Sequence, residues 1–374
     1  MQYSIHIVSF DVPWPVDYGG MFDIMNTIIE FKKMNVDVYL HCFLYNERGK
    51  PKELNKYCKE VFYYQRKSFA QSFSFKTPYI VSSRLNHELI ERLNQNSFPV
   101  LIQGIHCTGI IPYLRKDKKI CVRMHNEEYI YYSELAKQSG NLLKKIYYKW
   151  ESVLLHQYYK HLNKNISISC LSKIDIPHFE KLGFKNIHYT PILINWQSIN
   201  SNTDKGCMCF FHGNLSIAEN ENAAIWLLTS VFSKLKIPFA IAGKNPTNKL
   251  LKNAGLCVHT CLIANPTEKE LNDLIQKAQV NVLPLFNTNS TGIRLKLLHA
   301  LFEGKHCLVS RTMVEGSELM PLCHIADRKK DFEQKISHLY QTPFTEKEKE
   351  LRKEVLLKIY NNEKNAKQLL DCLV

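Results

Sequence analysis

The sequence predicts an α/β fold built from two doubly wound parallel sheets, and three observations carry that expectation. Short apolar runs of strand length alternate with helical patterns along almost the whole chain. The series breaks at a polar stretch, "QSINSNTDKG", and then begins again. The length of 374 residues, 45% of them hydrophobic, exceeds one ordinary core and fills two domains of ordinary size.

The first series of strand candidates reads "YSIHIVSF", "VDVYLHCFL", "EVFYY", "FPVLIQGI", "KICVRMH" and "NISISC", with helical patterns between most of them. In doubly wound sheets ligands bind beyond the carboxyl ends of the strands, so the loops that follow these runs are where chemistry is sought. After the first run, Gly19 and Gly20 stand just before a helix and leave room for close backbone approach. After "KICVRM" comes His125, then Asn126, Glu127 and Glu128 at the start of another helix. Each of these also has a structural reading, since a histidine at a strand end commonly serves as a hydrogen-bonding group.

The second series reads "CMCFFHG", "FAIAG", "LCVHT", "VNVLPL" and "HCLVS". His212 and Gly213 end its first strand, Asn214 follows, Asn220 and Asn222 precede a helix, and Lys244 follows "FAIAG". After "VNVLPL" and the polar loop "FNTNST", a helix is expected from Gly292, with Ile293, Leu297, Ala300 and Leu301 at helical spacing and Gly304 at its end. A helix N-terminus with a glycine and the nearby cations Arg294 and Lys296 suits a phosphate-bearing ligand. The same residues also suit a plain solvated helix face.

A formal net charge of +14 calls for an anionic partner: nucleic acid, membrane or phosphorylated substrate. No nucleic-acid-binding signature accompanies the charge, so nucleic acid is not expected as a partner. The densest basic patch, residues 141–165, spaces Leu143, Ile146, Trp150, Leu154, Tyr158 and Leu162 helically, with Lys144, Lys145, Lys149 and Lys160 among them. It reads either as a helix lying on an anionic bilayer or as a core-packing helix with a basic outer face. The twelve cysteines show no paired metal spacing and suit reduced thiols in a cytoplasmic protein. The amino-terminal residues lack the pattern of a secretion signal, and no apolar run reaches the roughly 20 residues of a membrane span. A cytoplasmic location is expected, with peripheral contact at the inner face of a membrane.

The order of these motifs resembles the GT-B glycosyltransferases, and especially a bacterial branch of the family 4 retaining enzymes. The resemblance rests on "PLFNTNSTGIRLKLLHA", "FFHGNLSIAENENAAIWLL" and "RTMVEGSEL" in the second half, and on "PWPVDYGG" and "RMHNEEYIYYSELA" in the first. It implies two Rossmann-like domains facing a cleft: an acceptor-side domain over residues 1–196, a nucleotide-sugar-binding domain over 197–353, and a segment, 354–374, that returns to the first. It further implies transfer of a sugar from a nucleotide-diphosphate sugar to a glycan or lipid-linked acceptor, with retention and without a metal or other cofactor. Backbone donors of Ser290, Thr291 and Gly292 would hold the diphosphate, with Arg294 and Lys296 countering the charge that grows as the sugar leaves. His125 would lie near the sugar, Glu315 and Gly316 would contact its hydroxyls, and Gly19, Gly20, Gly213, Asn214 and Lys244 would complete the donor site.

His299 departs from the family, which places there a glutamate that accepts hydrogen bonds from ribose hydroxyls. Glu303, one helical turn on, is a candidate stand-in. Two rival readings remain at this stage: a nucleotide-sugar epimerase of the same architecture, and a non-catalytic relative that kept the fold.

Overall fold

The computed structural model describes residues 3–45, 48–286 and 294–373. The chain forms two compact units, one from Met1–Asn195 and Tyr360–Val374, the other from Trp196–Thr288 and Arg294–Ile359.

The first unit holds seven strands: β1 (Ser4–Ser9), β2 (Asp37–Leu44), β3 (Glu60–Gln65), β4 (Val100–Gln103), β5 (Ile120–Met124), β6 (Ser167–Cys170) and β7 (Asn186–Tyr189). They pair in the order β3-β2-β1-β4-β5-β6-β7, parallel throughout. Period-two alternation sends neighbouring side chains to opposite faces. Ile5, Ile7, Leu101 and Cys121 join one apolar cluster, while Val8, Val100, Ile102 and Val122 join another. Both faces are therefore covered, which is why these strands read as near-continuous apolar runs. The C-terminal helix Asn362–Asp371 contributes Ala366 and Leu369 to the first cluster. Asn362 secures its start, accepting from the Ile194 N–H at 2.9 Å and donating to the Ile194 carbonyl at 2.6 Å.

The second unit holds β8 (Met208–His212), β9 (Phe239–Gly243), β10 (Thr260–Ala264), β11 (Ala278–Leu283), β12 (His306–Val309) and β13 (His324–Ile325). Their order is β10-β9-β8-β11-β12-β13, again all parallel. In each sheet the strand order reverses beside the first strand of the unit, at β1/β4 and at β8/β11. That reversal opens a crevice at the carboxyl ends of the strands.

Several expectations require correction. The run at 256–260 is a turn ending in β10, with Leu256 and Val258 exposed and the Thr260 N–H donating to the Cys257 carbonyl at 3.1 Å. β10 is an edge strand whose alternating exposure gives little apolar signal. Edge strands β7 and β13 escaped the sequence reading for the same reason: β7 is only partly buried and β13 has two residues. Asn220 and Asn222 do not precede a helix but lie inside Ala218–Trp226. The polar stretch 197–206 packs onto the second unit, where the Asn200 N–H donates to the Phe302 carbonyl at 2.8 Å and the Gly206 N–H donates to Gln279 Oε1 at 2.6 Å. All twelve cysteines are free thiols.

Candidate functional site

In the second unit, the loop after β8 is held against the end of β9. A Cβ on Gly243 would lie 1.8 Å from the Gly213 carbonyl oxygen, so only glycine fits there. Asn220 links this loop to the helix Leu295–Glu303: its Nδ2 donates to the Asn214 carbonyl at 3.0 Å, and its Oδ1 accepts from Lys296 Nζ at 2.8 Å. The Lys296 ammonium also sits 5.3 Å from the centre of the Phe211 ring. Burial lowers its pKa to about 8, so it remains mainly a cation at neutral pH. The solvated-face reading of Lys296 is thus overturned, because the ammonium is turned inward to Asn220 and the Phe211 ring. Arg294 occupies the cap position of the same helix, half-buried. Gly213, Asn214 and Lys296 are therefore brought together beside the β8/β11 reversal. Ser290, Thr291 and Gly292 lie outside the described residues.

His299 lies on the next turn of that helix. Its ring stacks on Trp196 with centroids 5.0 Å apart and meets His212 edge-on at 5.9 Å, while Nε2 donates to Asn272 Oδ1. Burial pushes its pKa down to about 4, so the imidazole is neutral. Glu303 is not a stand-in for the missing carboxylate. Its two oxygens accept from Asn200 Nδ2 at 2.8 Å and Gln276 Nε2 at 2.7 Å, and it is buried. Lys244 is exposed after β9, and Glu315 and Gly316 are exposed after the helix Arg311–Val314. Gly316 has φ +71, a left-handed conformation that favours glycine.

In the first unit, Gly19 and Gly20 open the helix Gly19–Lys33. A Cβ on Gly20 would come within 2.9 Å of the Phe10 ring, so packing already requires a small residue there. His125 directly follows β5, with its Nε2 donating to Gln103 Oε1 at 2.8 Å and lying 4.0 Å from Asp23 Oδ2. Burial lowers its pKa to about 4, against the pull of Asp23. Asp23 is the feature that sequence reading missed. It forms a fully buried pair with Arg123, at 2.6 and 2.9 Å, and Arg123 also donates to Ser169 Oγ at 3.0 Å and the Thr190 carbonyl at 3.2 Å. Burial alone would raise the Asp23 pKa, but the guanidinium charge and its hydrogen bonds hold it below the ordinary carboxylate value. Beside His125, burial pushes the Glu128 carboxyl up to about 7. A charged arginine in the middle of a strand is the one local signal for the buried pair, since an unpaired charge is not tolerated there.

These observations define two Rossmann-like domains whose glycine-bearing loops, cations and neutral histidines gather at strand carboxyl ends. Residues 206–342 match the family model described as "Glycosyl transferases group 1". The chain is 27% identical over 319 residues to a Klebsiella pneumoniae protein, "Uncharacterized 44.6 kDa protein in cps region", with 80% of each covered. Among solved structures, sucrose-phosphate synthase from Thermosynechococcus elongatus superposes with a TM-score of 0.70 at 11% identity, over 99% of this chain and 98% of that one. A mutant of S. aureus TarM in complex with Fondaparinux, alpha-GlcNAc-glycerol and UDP gives 0.66 at 10% identity, over 99% of both chains. A glycosyltransferase from Rickettsia africae ESF-5 gives 0.66 at 12% identity, over 99% and 97%. At these identities the structural likeness shows the fold, that of the GT-B glycosyltransferases.

Proposed function

We propose that this protein is a nucleotide-sugar glycosyltransferase of polysaccharide synthesis, moving a sugar from a nucleotide diphosphate to a glycan or lipid-linked acceptor with retention and without a metal in the transfer step. The observation that carries the reading is the coincidence, in one unit, of the group 1 family match with the cluster of Gly213, Asn214, Asn220 and Lys296 at the β8/β11 reversal. As the bond between the anomeric carbon and the phosphate oxygen breaks, negative charge collects on the leaving diphosphate. Donors already oriented toward that charge lower the barrier without reorganising. The Lys296 ammonium, the Arg294 guanidinium and the amino-terminal dipole of Leu295–Glu303 supply such stabilisation, and Ser290, Thr291 and Gly292 extend the set. The exposed Glu315 and Gly316 serve the sugar hydroxyls, with Lys244 near the phosphates.

On the acceptor side, the neutral ring of His125 acts as a fixed hydrogen-bonding group, held by Gln103. It is not an acid at neutral pH, because burial keeps its proton affinity low. The K. pneumoniae relative from a cps region supports a polysaccharide setting. The UDP in the TarM complex makes uridine diphosphate sugars the first donors to try.

The test is a thermal-shift screen of nucleotide sugars followed by product analysis with a labelled donor. A ligand at a hundred times its dissociation constant stabilises by about 2.7 kcal/mol. Label passing to an acceptor is the expected result. An isomerised sugar nucleotide means epimerisation, and the absence of binding to any nucleotide sugar means a non-catalytic relative. Either of the last two overturns the proposal.

A further inference from the structure

At the opposite end of the second sheet, three side chains from separate elements converge. His306 begins β12, His324 begins β13, and Glu348 lies in the helix Glu346–Ile359. His306 Nδ1 is 3.2 Å from Glu348 Oε1 and 3.4 Å from His324 Nε2, and the latter two atoms are 4.0 Å apart. Among the described residues this is the one grouping of three or more such side chains whose donor atoms all lie within 4.8 Å of one another.

Two features distinguish the grouping from an ordinary polar contact. His306 Nε2 donates to the Thr342 carbonyl at 3.1 Å, which fixes the tautomer and leaves Nδ1 as a lone pair aimed at the carboxylate. Two acceptors face each other at 3.2 Å, an arrangement that a cation between them would relieve. The spacing also fits: tetrahedral ligands with bonds of about 2.1 Å lie about 3.4 Å apart. A cavity of about 260 Å³, lined by Cys323, His324, Phe344, Glu348 and Arg352, gives access and room for a water ligand. The Arg352 guanidinium does not compete for the carboxylate, because it donates to the Leu301 and Gly304 carbonyls at 3.1 and 2.6 Å and to that of Lys305.

We propose that His306 Nδ1, His324 Nε2 and Glu348 Oε1 bind a divalent transition-metal ion of the zinc class. Two imidazoles and one carboxylate suit such an ion better than calcium or magnesium, which favour all-oxygen sites. The ion ties the two-residue edge strand β13 and the helix Glu346–Ile359 to β12. Because it lies at the amino ends of the strands, its role is to brace the domain, and it does not rest on the transferase reading. The sequence carried no sign of it, since positions 306, 324 and 348 form no short motif.

The test uses the full chain stripped with EDTA and dialysed. Calorimetry with zinc chloride is expected to show one ion per chain, and cobalt(II) should develop the visible d–d bands of a four- or five-coordinate ion. His324→Gln and Glu348→Gln, both at partly exposed positions, should each weaken zinc by at least about 100-fold, the upper range for losing a mere supporting residue. Their melting temperatures in EDTA should match that of the stripped parent, which separates binding from folding. A Cys207→Ser/Cys261→Ser variant, lacking the exposed thiols, should bind zinc normally. Absence of saturable one-to-one binding overturns the proposal, as does undiminished affinity in the two ligand variants.

Discussion

His299 stands where the GT-B resemblance calls for a carboxylate, and its surroundings show how a histidine is kept there. The ring is sandwiched by aromatic partners, its Nε2–H is claimed by Asn272, and burial holds it neutral, leaving Nδ1 as a single acceptor. The neighbouring carboxylate of Glu303 is buried and held by Asn200 and Gln276, so it does not substitute. His299→Glu should therefore tighten a uridine diphosphate sugar by about 1.5–3 kcal/mol, the value of a charge-assisted hydrogen bond, in calorimetry. Losing the Trp196 stack should cost roughly 0.5–1.5 kcal/mol of stability at the same time. An unchanged dissociation constant for the true donor would remove position 299 from the nucleotide site. The unusual residue was legible in the sequence; its partners were not, because Trp196, His212 and Asn272 reach it from three other segments.

At the scale of elements, the helix Leu142–His161 divides into two halves with different partners. Glu151, Leu154, Leu155 and Tyr159 are buried, and Glu151 Oε1 accepts from the Ile80 N–H at 2.9 Å, so this half is an ordinary core-packing helix. The first half is not. Leu142, Leu143 and Ile146 are 70%, 78% and 58% exposed, and Lys144, Lys145 and Lys149 lie among them in the open. Phe73 stacks on Trp150 at 5.4 Å beside Phe75, which is itself 79% exposed. Among the described residues no helix is long and apolar enough to cross a membrane. We propose instead that this half-helix lies on an anionic surface, apolar side chains inward and lysines at the head groups. With about 1 kcal/mol for each lysine, co-sedimentation with anionic liposomes should fall steeply with salt and in a Lys144→Ala/Lys145→Ala/Lys149→Ala variant. Equal binding to neutral and anionic liposomes would rule the electrostatic part out.

For the whole molecule, the number of buried neutral histidines sets the response to acid. Burial lowers His6, His125 and His299 to about 4, and His41, His106 and His212 well below their ordinary value. Above pH 6.5 these groups are neutral in both folded and unfolded chains and contribute no pH dependence. Below it the unfolded chain takes up protons that the folded one refuses, so stability falls as pH drops below about 6.5, by at most about 1.4 kcal/mol per pH unit for a histidine that stays neutral in the folded chain. The Asp23 carboxylate acts at lower pH: its depressed pKa contributes stability above the ordinary aspartate value, lost as pH falls through the folded one. The melting temperature should therefore drop between pH 6.5 and 5, opposed by the Glu128 carboxyl, pushed up to about 7, since its protonated form favours the folded chain in that window. A flat or rising melting temperature across that window would contradict the buried neutral histidines.

What the sequence determined by itself was the architecture's grammar. Runs such as "FAIAG" and "KICVRM" mark strands because a strand covered on both faces is apolar at nearly every position, Arg123 being the paired exception, and the loops after β1, β5, β8 and β9 were located from the same pattern. Edge elements such as β7, β10 and β13 were missed or displaced because one of their sides faces water and the periodic signal fades. Only the tertiary structure decided which polar groups meet. Asp23 finds Arg123 across 100 residues, Asn220 finds Lys296 across 76, and His306, His324 and Glu348 converge from two strands and a helix. Local periodicity records whether a residue is buried. Which partner satisfies its charge or lone pair depends on strand order, and strand order is settled only when the sheet closes its long-range contacts.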